Sequence, residues 1–178
     1  TMTATLPSGA IDTSAVWDGS NAYIFGGDGT GPGFSNQIVR YNPGTDIVTT
    51  MSATLPTGRS YTTAVWDGTN AYIFGGTGHD PGTYLDQIVR YNPGTNTITT
   101  MTATLPGARL YASAVWDGLN AYIFSGYDHS CNCFSNKIVR YNPGTDTVTT
   151  MTAPPPTARP FASAVWDGSS AYIFGGYY

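Results

Sequence analysis

A thirteen-residue segment that recurs four times constrains the fold of this chain more than any other feature. The first copy reads Ala-Val-Trp-Asp-Gly-Ser-Asn-Ala-Tyr-Ile-Phe-Gly-Gly, and each later copy differs from it at one or two positions. The copies occupy residues 15–27, 64–76, 114–126 and 164–176, so the repeat period is 49 or 50 residues. A period of this length is typical of stacked repeats and β-propellers, in which each repeat is one supersecondary unit.

The second repeat shows most clearly which secondary structure the repeat encodes. Segments rich in β-branched and aromatic residues alternate with turn signals, which is the pattern of short strands. An Asp-Gly pair, which favours tight hairpins, follows the first segment, and a Pro-Gly pair typical of a type II turn follows the third. The four predicted strands are residues 60–66, 71–74, 87–91 and 97–101. Because no helical periodicity is present, each repeat is predicted to be an all-β propeller blade of four antiparallel strands.

Side-chain sizes predict how the strands are ordered within a blade. The strand nearest a propeller axis is crowded, and the first strand of each repeat carries a Ser-Ala or Thr-Ala pair that suits this place. The second strand supplies Tyr-Ile-Phe, which we expect neighbouring blades to bury against each other. We expect the recurring tryptophan to serve packing between blades as well.

Composition narrows the classes of function. Only 10% of the residues are charged and the formal net charge is −4, whereas about 25% are charged in an average domain. The seven cationic side chains form no continuous basic stripe, which argues against nucleic-acid binding. No apolar run approaches the roughly 20 residues of a membrane helix, so we expect no membrane insertion. A polar surface built from Thr, Ser, Asn and Gly predicts an extracellular or cell-surface location.

Three recurring motifs resemble the kelch repeat family. They are a glycine doublet after an apolar strand, a Tyr-Asn-Pro turn about fifteen residues later, and a Pro-x-x-Arg segment before the first strand. The resemblance covers essentially the whole chain and implies a kelch-type β-propeller. Two departures are visible: the tryptophan ends the first strand instead of lying on the fourth, and Ser125 replaces the first glycine of the third doublet.

The resemblance leaves several functions open. Kelch blades occur in adaptors that bind partner peptides, in copper enzymes similar to galactose oxidase, and in many secreted proteins, so the fold does not define the function. The copper ligands of the galactose-oxidase-like enzymes do not map onto this sequence. The chain contains no Glu, and most of its Asp residues belong to predicted turns. We therefore expect no active site and no cofactor.

The repeats predict a single domain, residues 1–178, with about three and a half blades. Whole blades are expected at about residues 8–51, 57–101 and 107–151, followed by a two-stranded half blade at residues 157–178. The first six residues match only the tail of a fourth strand. Because a two-stranded blade leaves an exposed edge, we expect a longer parent chain or self-assembly that completes a ring or filament. A self-contained propeller of four blades is the alternative.

The loop before the first strand contains the first candidate binding site. Arginine and aromatic residues occupy equivalent positions there in three repeats, and ring geometry should place them on one face. They are Arg59, Arg109, Arg159, Tyr61, Tyr111 and Phe161. The guanidinium group of arginine can form paired hydrogen bonds with a carboxylate, and aromatic rings can stack on a bound ligand. The resemblance to kelch adaptors, which bind acidic partner segments with such loops, implies the same use here. The alternative is that each arginine bonds to loop carbonyls or pairs with a neighbouring Asp.

The loop after the glycine doublet contains the second candidate site. His79 and His129 are equivalent in two repeats, and the third repeat adds Cys131 and Cys133. Two His and two Cys can ligate zinc or copper, but Cys-x-Cys is not the usual zinc-knuckle spacing, so these residues are weak metal candidates. A local disulfide, a disulfide to another chain and two free thiols are the alternatives.

The sequence therefore favours a non-enzymatic binding or scaffold module that contacts a protein or peptide partner, acidic in character, through the arginine and aromatic loop face. The second hypothesis is a structural subunit of an extracellular filament, sheath or larger ring, assembled through the half blade. The third is a carbohydrate-binding or galactose-oxidase-like domain.

Overall fold

The described part of the chain is entirely β-structure. The computed structural model describes residues 2–8, 10–29, 31, 33–80 and 82–177. These residues form 21 strands, and no helix that could cross a membrane is found among them. The all-β prediction is confirmed, whereas the predicted domain limits at residues 1 and 178 lie outside the described residues.

The strands follow the four repeats. The first repeat contains β1 (Ala10–Ile11), β2 (Ser14–Trp17), β3 (Ala22–Phe25), β4 (Asp28–Gly29), β5 (Gln37–Asn42) and β6 (Ile47–Thr54). The second contains β7 (Arg59–Ser60), β8 (Thr63–Trp66), β9 (Ala71–Phe74), β10 (Thr77–Gly78), β11 (Gln87–Asn92) and β12 (Thr97–Thr104). The third contains β13 (Arg109–Leu110), β14 (Ser113–Trp116), β15 (Ala121–Phe124), β16 (Tyr127–Asp128), β17 (Cys133–Phe134), β18 (Ile138–Asn142) and β19 (Thr147–Thr150). The fourth contains β20 (Ala162–Trp166) and β21 (Ala171–Gly175).

Each of the first three repeats forms one four-stranded antiparallel blade in chain order. These blades are β2-β3-β5-β6, β8-β9-β11-β12 and β14-β15-β18-β19, and the fourth repeat contributes the pair β20-β21. The register recurs, with the tryptophan that ends the first strand opposite the alanine that begins the second: Trp17–Ala22, Trp66–Ala71, Trp116–Ala121 and Trp166–Ala171. The predicted four-stranded blades and the two-stranded last blade are therefore confirmed.

The predicted first strand of a blade is divided in two. In the second repeat, β7 pairs with β10 in a small separate sheet, and β8 then begins the blade itself. Tyr61 lies between them with a φ of 58°. A left-handed residue cannot continue a pleated strand, so the chain changes direction at this point.

The hairpin between the first and second strands is wider than the Asp-Gly pair predicts. Four residues separate β8 from β9, and of the Asp-Gly pair only Gly68 has a positive φ, at 101°. The carboxylate of Asp67 accepts the backbone N–H groups of Thr69 and Asn70 at 2.7 and 2.6 Å. The Asp side chain thus organises the loop in place of a two-residue turn.

The turn between the third and fourth strands is not of type II, which corrects the prediction. A type II turn needs a positive φ at Gly94, but the left-handed residue is Asn96, with a φ of 51°. The side chain of Asn92 accepts the N–H of Thr95 at 3.0 Å and holds the loop. Asp46 and Asp146 take the same conformation in the neighbouring repeats.

The first strands of the four blades lie at the centre of the molecule. β2, β8, β14 and β20 pack side by side in chain order and line a common channel, with small side chains at one end and the four tryptophans at the other. The predicted inner position of this strand is confirmed. Among the described residues no comparable packing joins β20 to β2, so the blades form an open arc.

Aromatic contacts between blades form the core. The ring of Tyr91 meets those of Tyr23 and Phe25 edge-on, with centroids 5.7 and 6.0 Å apart. Tyr141 repeats this contact on the next blade at 5.6 and 5.9 Å from Tyr72 and Phe74. The third-strand tyrosines of the second and third blades, Tyr91 and Tyr141, therefore each pack against the Tyr and Phe of the preceding blade, and the expected role of these aromatics in blade packing is confirmed.

Candidate functional site

Three aromatic residues on successive blades form a continuous row on one face of the arc. Tyr61, Tyr111 and Phe161 have nearly the same φ, at 58°, 57° and 62°. The ring centroids of Tyr61 and Tyr111 are 4.6 Å apart, and Tyr111 stacks on Phe161 at 4.1 Å. We call these three residues the aromatic row. The sequence predicted that they lie together, and the structure brings them into contact.

Backbone hydrogen bonds between blades explain the unusual conformation. The N–H of Tyr61 donates to the carbonyl of Asp12, and the N–H of Phe161 donates to the carbonyl of Tyr111, both at 2.9 Å. A positive φ is costly for residues other than glycine, so it persists only where surrounding contacts enforce it. Here the bonds between repeats hold Tyr61 and Phe161 in this conformation, and Tyr111 takes part as the acceptor from Phe161.

Asp12 occupies the position of the aromatic residue in the first repeat, with a φ of 58°. Burial raises the pKa of Tyr61, and the charge of Asp12 together with a side-chain hydrogen bond raises it further. The row therefore ends in a carboxylate beside Tyr61. This acidic end was visible in the sequence only as a break in the repeat.

The arginines beneath the row are placed differently from one another. Arg59 and Arg109 are almost completely buried, at 0% and 2% exposure, whereas Arg159 is partly exposed. The guanidinium of Arg109 donates to the carboxylate of Asp128 at 3.1 Å and to the carbonyl of Ser125 at 3.0 Å. A partner cannot reach a side chain buried to this degree, so the placement of these two arginines matches the alternative that they bond within the protein.

Arg59 has no carboxylate partner among the described residues. Its guanidinium donates to the side-chain oxygen of Gln87 at 3.0 Å and to the carbonyl of Thr57 at 3.5 Å. Burial lowers its pKa to about 10, because the charged form loses hydration that nothing fully replaces. Burial also lowers the pKa of Arg109, but Asp128 opposes that shift.

Arg159 is the one partly exposed arginine of the three candidates. Its Nε donates to the hydroxyl of Thr157 at 3.0 Å, and its backbone N–H donates to the hydroxyl of Ser125 at 3.1 Å. The side chain lines an open cavity of about 390 Å³ next to Phe174. A binding role for Arg159 stays a prediction.

The cysteines of the second candidate site form a disulfide with each other. Cys131 and Cys133 are joined, with their Cα atoms 5.2 Å apart. This selects the local disulfide from the alternatives that the sequence left open, and it occupies both sulfur atoms. In the described part of the chain, no group of three or more His, Cys, Asp or Glu side chains is placed to hold a metal ion.

The two histidines each contact the loop of the preceding blade. The ring of His129 stacks on Tyr84 with centroids 3.9 Å apart. His79 lies so close to Gly33 that a methyl group there would overlap the imidazole. The equivalence of the two histidines in the repeat therefore reflects contact between neighbouring loops.

A second aromatic group surrounds the disulfide, and the sequence reasoning missed it. Tyr127 lies 6.1 Å from Phe134, and Phe134 lies 6.1 Å from Tyr177, in edge-on contacts. Together with the stacked Tyr84 and His129, they make up what we call the outer aromatic cluster. The signal was an aromatic residue at the same place in three repeats, Phe34, Tyr84 and Phe134.

The outer aromatic cluster and the aromatic row belong to the same face. Burial raises the pKa of Tyr111, and the nearby Asp12, Tyr84 and Tyr127 add to the shift. Loops of two kinds therefore converge here, the loop before the first strand and the loop after the second. The opposite face carries the Asp-Gly hairpins and the Asn-Pro-Gly turns.

Comparisons with known proteins agree with this architecture. Many solved structures share the fold, among them one titled "Structure of YjhT", which has a TM-score of 0.80 and 18% sequence identity. The match covers 94% of this chain and 58% of that chain, so this chain spans a little more than half the length of that structure. At this identity the likeness shows the fold alone.

Sequence comparison identifies the family. No curated protein matches the chain. A family model described as the KLHDC2/KLHL20/DRC7 Kelch-repeats domain matches residues 1–176. Since that model spans nearly the whole chain, and the blades have the four-stranded form that the motifs predicted, the chain belongs to the kelch-repeat family.

Proposed function

We propose that the chain is a non-enzymatic binding module of a secreted or cell-surface protein, and that it contacts a protein or peptide partner through the aromatic row. Kelch-repeat domains are generally protein-binding modules, which supports this class of function. The observation that carries the site is the row itself: three aromatic rings, each in contact with the next and each with the same backbone conformation on its own blade.

The row has the properties of a binding surface that is organised in advance. Phe161 is 60% exposed, and Tyr61 and Tyr111 are partly exposed. Aromatic side chains dominate the centres of protein interfaces because they bury a large area and have few rotatable bonds. The backbone hydrogen bonds between blades already fix these residues, so little conformational entropy is lost when a partner binds.

The charged residues Asp12 and Arg159 predict the order of charges along the proposed partner peptide. Asp12 lies beside Tyr61, and Arg159 precedes Phe161 by two residues in the chain. The expected acidic character of the partner now rests on Arg159, because the other two arginines are buried. We infer a peptide with an apolar centre, an acidic residue near Arg159 and a basic residue near Asp12.

The disulfide supports the proposed location. Disulfides persist in oxidising compartments such as the extracellular space and are rare in the cytosol. The bond between Cys131 and Cys133 is therefore compatible with a secreted or surface protein.

Selection from a random peptide library displayed on phage tests the site and requires no identified partner. Selected peptides are measured against the parent protein and against Tyr111→Gly and Phe161→Gly by fluorescence anisotropy. Glycine removes the ring and tolerates the positive φ, so the backbone is not strained by the change. The control is Leu119→Ser, since Leu119 is 63% exposed on an Asp-Gly hairpin of the opposite face.

We expect each glycine variant to weaken binding by at least about tenfold, which is about 1.4 kcal/mol. The control should bind like the parent protein. Equal affinity of the parent and both glycine variants for every selected peptide would remove the aromatic row from the proposal. Circular dichroism confirms that each variant remains folded.

The fourth blade supports a second candidate function, assembly into a filament, sheath or larger ring. Val165, Tyr172 and Phe174 are 51%, 48% and 58% exposed, although their counterparts in the first two blades are buried. An apolar cavity of about 280 Å³ lies between the third and fourth blades, and Tyr122 and Phe124 line it. Among the described residues, no tyrosine of a following third strand packs against these two rings. In the other two interfaces that tyrosine fills the equivalent place.

Sedimentation velocity at increasing protein concentration tests this second candidate. Assembly predicts particles larger than the 18.8 kDa monomer, and a Tyr172→Ser, Phe174→Ser double variant should shift them toward monomer. Leu119→Ser again serves as the control. A monomer at every concentration rejects assembly through this face.

The aromatic row also keeps carbohydrate binding as a third candidate, because sugar rings pack on aromatic faces. A glycan array separates it from peptide binding, and elemental analysis for copper tests a galactose-oxidase-like domain. If the protein retains no glycan and no copper, this third candidate is rejected.

A further inference from the structure

The Cys131–Cys133 disulfide lies in an exposed hairpin of the third repeat. β16 and β17 pair, with Tyr127 opposite Phe134 and Asp128 opposite Cys133. Both cysteines and the two residues of the outer aromatic cluster that flank them, His129 and Phe134, are exposed. The sulfur atoms therefore lie where another molecule can approach them.

The pairing at the base of the hairpin does not require the disulfide. The first two repeats make the backbone pairing equivalent to that of Tyr127 with Phe134, without any cysteine: Asp28 pairs with Phe34 and Thr77 with Tyr84. At the tip, the N–H of Asn132 donates to the carbonyl of His129 at 3.2 Å.

At its base the hairpin is anchored to the interior. Asp128 is buried and paired with Arg109, so the loop is tied to the protein independently of the sulfur atoms. A disulfide between residues two apart closes a very short loop, which restricts the unfolded chain only slightly. The bond thus contributes little to stability, and reducing it should leave the hairpin standing.

An apolar surface for a bound peptide adjoins the disulfide. Tyr84, Phe134 and Tyr177 of the outer aromatic cluster are 37%, 44% and 64% exposed. Exposed disulfides exchange readily because thiolates can reach them, whereas buried structural ones resist reduction. The same surface therefore combines a reactive bond with rings that can hold an apolar segment of a substrate.

We propose that the Cys131–Cys133 pair is a thiol–disulfide exchange site that oxidises dithiol peptides bound on the outer aromatic cluster. A thiolate of the peptide attacks one sulfur, the Cys131–Cys133 bond breaks, and the released sulfur takes up a proton. The second thiolate of the peptide then attacks the peptide's sulfur in the mixed disulfide. This closes a disulfide within the peptide and releases the protein's remaining cysteine as a thiolate, which takes up a proton. The peptide loses two electrons and two protons, and the protein gains both.

Oxidised glutathione, a small-molecule disulfide, regenerates the pair by the reverse exchange and becomes two thiols. The peptide is therefore oxidised at the expense of glutathione, and the protein returns to its starting state. The non-enzymatic role proposed above concerns partner binding by the aromatic row, and the exchange activity is an additional property of the hairpin, so either proposal can fail without the other.

The first experiment measures whether the pair exchanges at all. The protein is equilibrated with glutathione buffers of graded composition, trapped with a thiol-alkylating reagent and weighed by mass spectrometry. We expect the fraction with two alkylated cysteines to rise from near zero to near complete across millimolar reduced glutathione, with little change in circular dichroism. A pair that stays oxidised at all compositions, or a protein that unfolds on reduction, overturns the proposal.

The second experiment measures transfer to a substrate. A peptide with two cysteines flanked by phenylalanine is oxidised in glutathione buffer with catalytic amounts of the protein. We expect an oxidation rate at least about tenfold above that with the Cys131→Ser, Cys133→Ser double variant, whose loop keeps its other contacts. Equal rates with the protein and the double variant reject the activity.

Docking on the rings is tested by substrate preference. The parent protein should oxidise the phenylalanine-flanked peptide several-fold faster than a glycine-flanked one, and Phe134→Ser should abolish that preference while retaining exchange. Leu119→Ser, an exposed apolar change on the opposite face, should keep it. A parent protein without preference, or a preference unchanged in Phe134→Ser, removes the outer aromatic cluster from the proposal.

Discussion

The carboxylate of Asp128 lies 3.1 Å from the guanidinium of Arg109, and both side chains are buried. The two residues face each other across the pair β13-β16, which joins the loop before the third blade to the loop after its second strand. In the second repeat Arg59 faces Gly78 at the same place, so its charge has no carboxylate opposite it. One substitution between repeats thus changes how a buried charge is compensated.

Replacing Asp128 with Asn should destabilise the protein by about 3 kcal/mol, because Arg109 would be left buried without its counter-charge. Urea unfolding at pH 7 measures the change. The control is Asp80→Asn, an exposed site, which should change the free energy of unfolding by less than about 0.5 kcal/mol. Equal effects of the two variants would contradict a stabilising role for the ion pair.

The same pair predicts a loss of stability in acid. Burial raises the pKa of Asp128, but hydrogen bonds from Ser130 and the charge of Arg109 lower it more, so it lies below the ordinary value of 3.8. A carboxyl with a lowered pKa in the folded state stabilises the protein above its unfolded pKa and loses that effect as the pH falls through the folded one. Between pH 6 and pH 3 the parent protein should therefore lose more stability than Asp128→Asn.

Replacing each buried arginine with Met should separate their roles. Arg109→Met leaves Asp128 buried without a partner and should cost about 3–5 kcal/mol. Arg59→Met removes a buried charge that has no carboxylate partner and should cost clearly less, because methionine fills the space without a desolvation penalty. Thermal and urea unfolding compare the two variants directly. A larger loss for Arg59→Met would show that its bond to Gln87 matters more than the missing counter-charge.

The first glycine of the doublet is required where the next loop approaches. Gly75 has a φ of +61°, and a methyl group on it would lie 2.3 Å from the carbonyl oxygen of Arg109. Gly75→Ala should therefore destabilise the protein by at least about 2 kcal/mol through strain and overlap. Ser125 occupies the equivalent position at a φ of 55°, and its hydroxyl accepts the N–H of Arg159.

The matched variant is Ser125→Gly, which relieves the positive φ but removes that hydrogen bond. We expect these effects to offset each other within about 1 kcal/mol. Urea unfolding of both variants checks the contrast. If Gly75→Ala proves as mild as Ser125→Gly, the carbonyl of Arg109 has room to move away.

Buried tyrosines should make the protein sensitive to alkali. Burial raises the pKa of Tyr72 and Tyr91 from 10.0 to about 12. In the unfolded chain these phenols ionise first, so the stability they support is complete below pH 10 and is lost as the pH rises toward 12. Tyr91→Phe should cost about 1 kcal/mol at pH 8, through the hydrogen bond to Asn96.

Between pH 10 and pH 12 the free energy of unfolding should fall less steeply with pH for Tyr91→Phe than for the parent protein. The difference in slope corresponds to one fewer proton released on unfolding. Urea unfolding at a series of pH values measures the slope. Tyr84→Phe is the control, because it removes the same hydroxyl group from a tyrosine that is 37% exposed. Parallel slopes for all three proteins would show that Tyr91 does not resist ionisation.

Most of the architecture was readable from the sequence because each blade is specified locally. The strand pattern, the glycine doublet and the small residues of the first strand predicted the blades and their inner strand. The turns were predicted less well, since Asp67 and Asn92 stabilise longer loops through side-chain hydrogen bonds that dipeptide rules do not include. The division of the first strand at Tyr61 depends on hydrogen bonding to the neighbouring blade.

The candidate site was predicted only in part. Equivalence in the repeat correctly placed Tyr61, Tyr111 and Phe161 together, but it could not distinguish the buried Arg59 and Arg109 from the exposed rings above them. The outer aromatic cluster escaped notice because its members come from different blades and from loops of unequal sequence. The pairing of Cys131 with Cys133 was one of several alternatives that spacing alone left open.

The sequence by itself determined the all-β repeat, the order of strands in a blade and the identity of the residues that recur, because hydrophobic alternation and turn residues act over a few positions. Only the tertiary structure decided which side chains are buried, which charges meet and which rings touch. Those properties arise where one blade packs on the next. The same holds within a single repeat: Arg59 and Arg109 occupy the same place, but the folded loop after the second strand puts Gly78 opposite Arg59 and Asp128 opposite Arg109, so among the described residues only Arg109 of the two has a carboxylate partner.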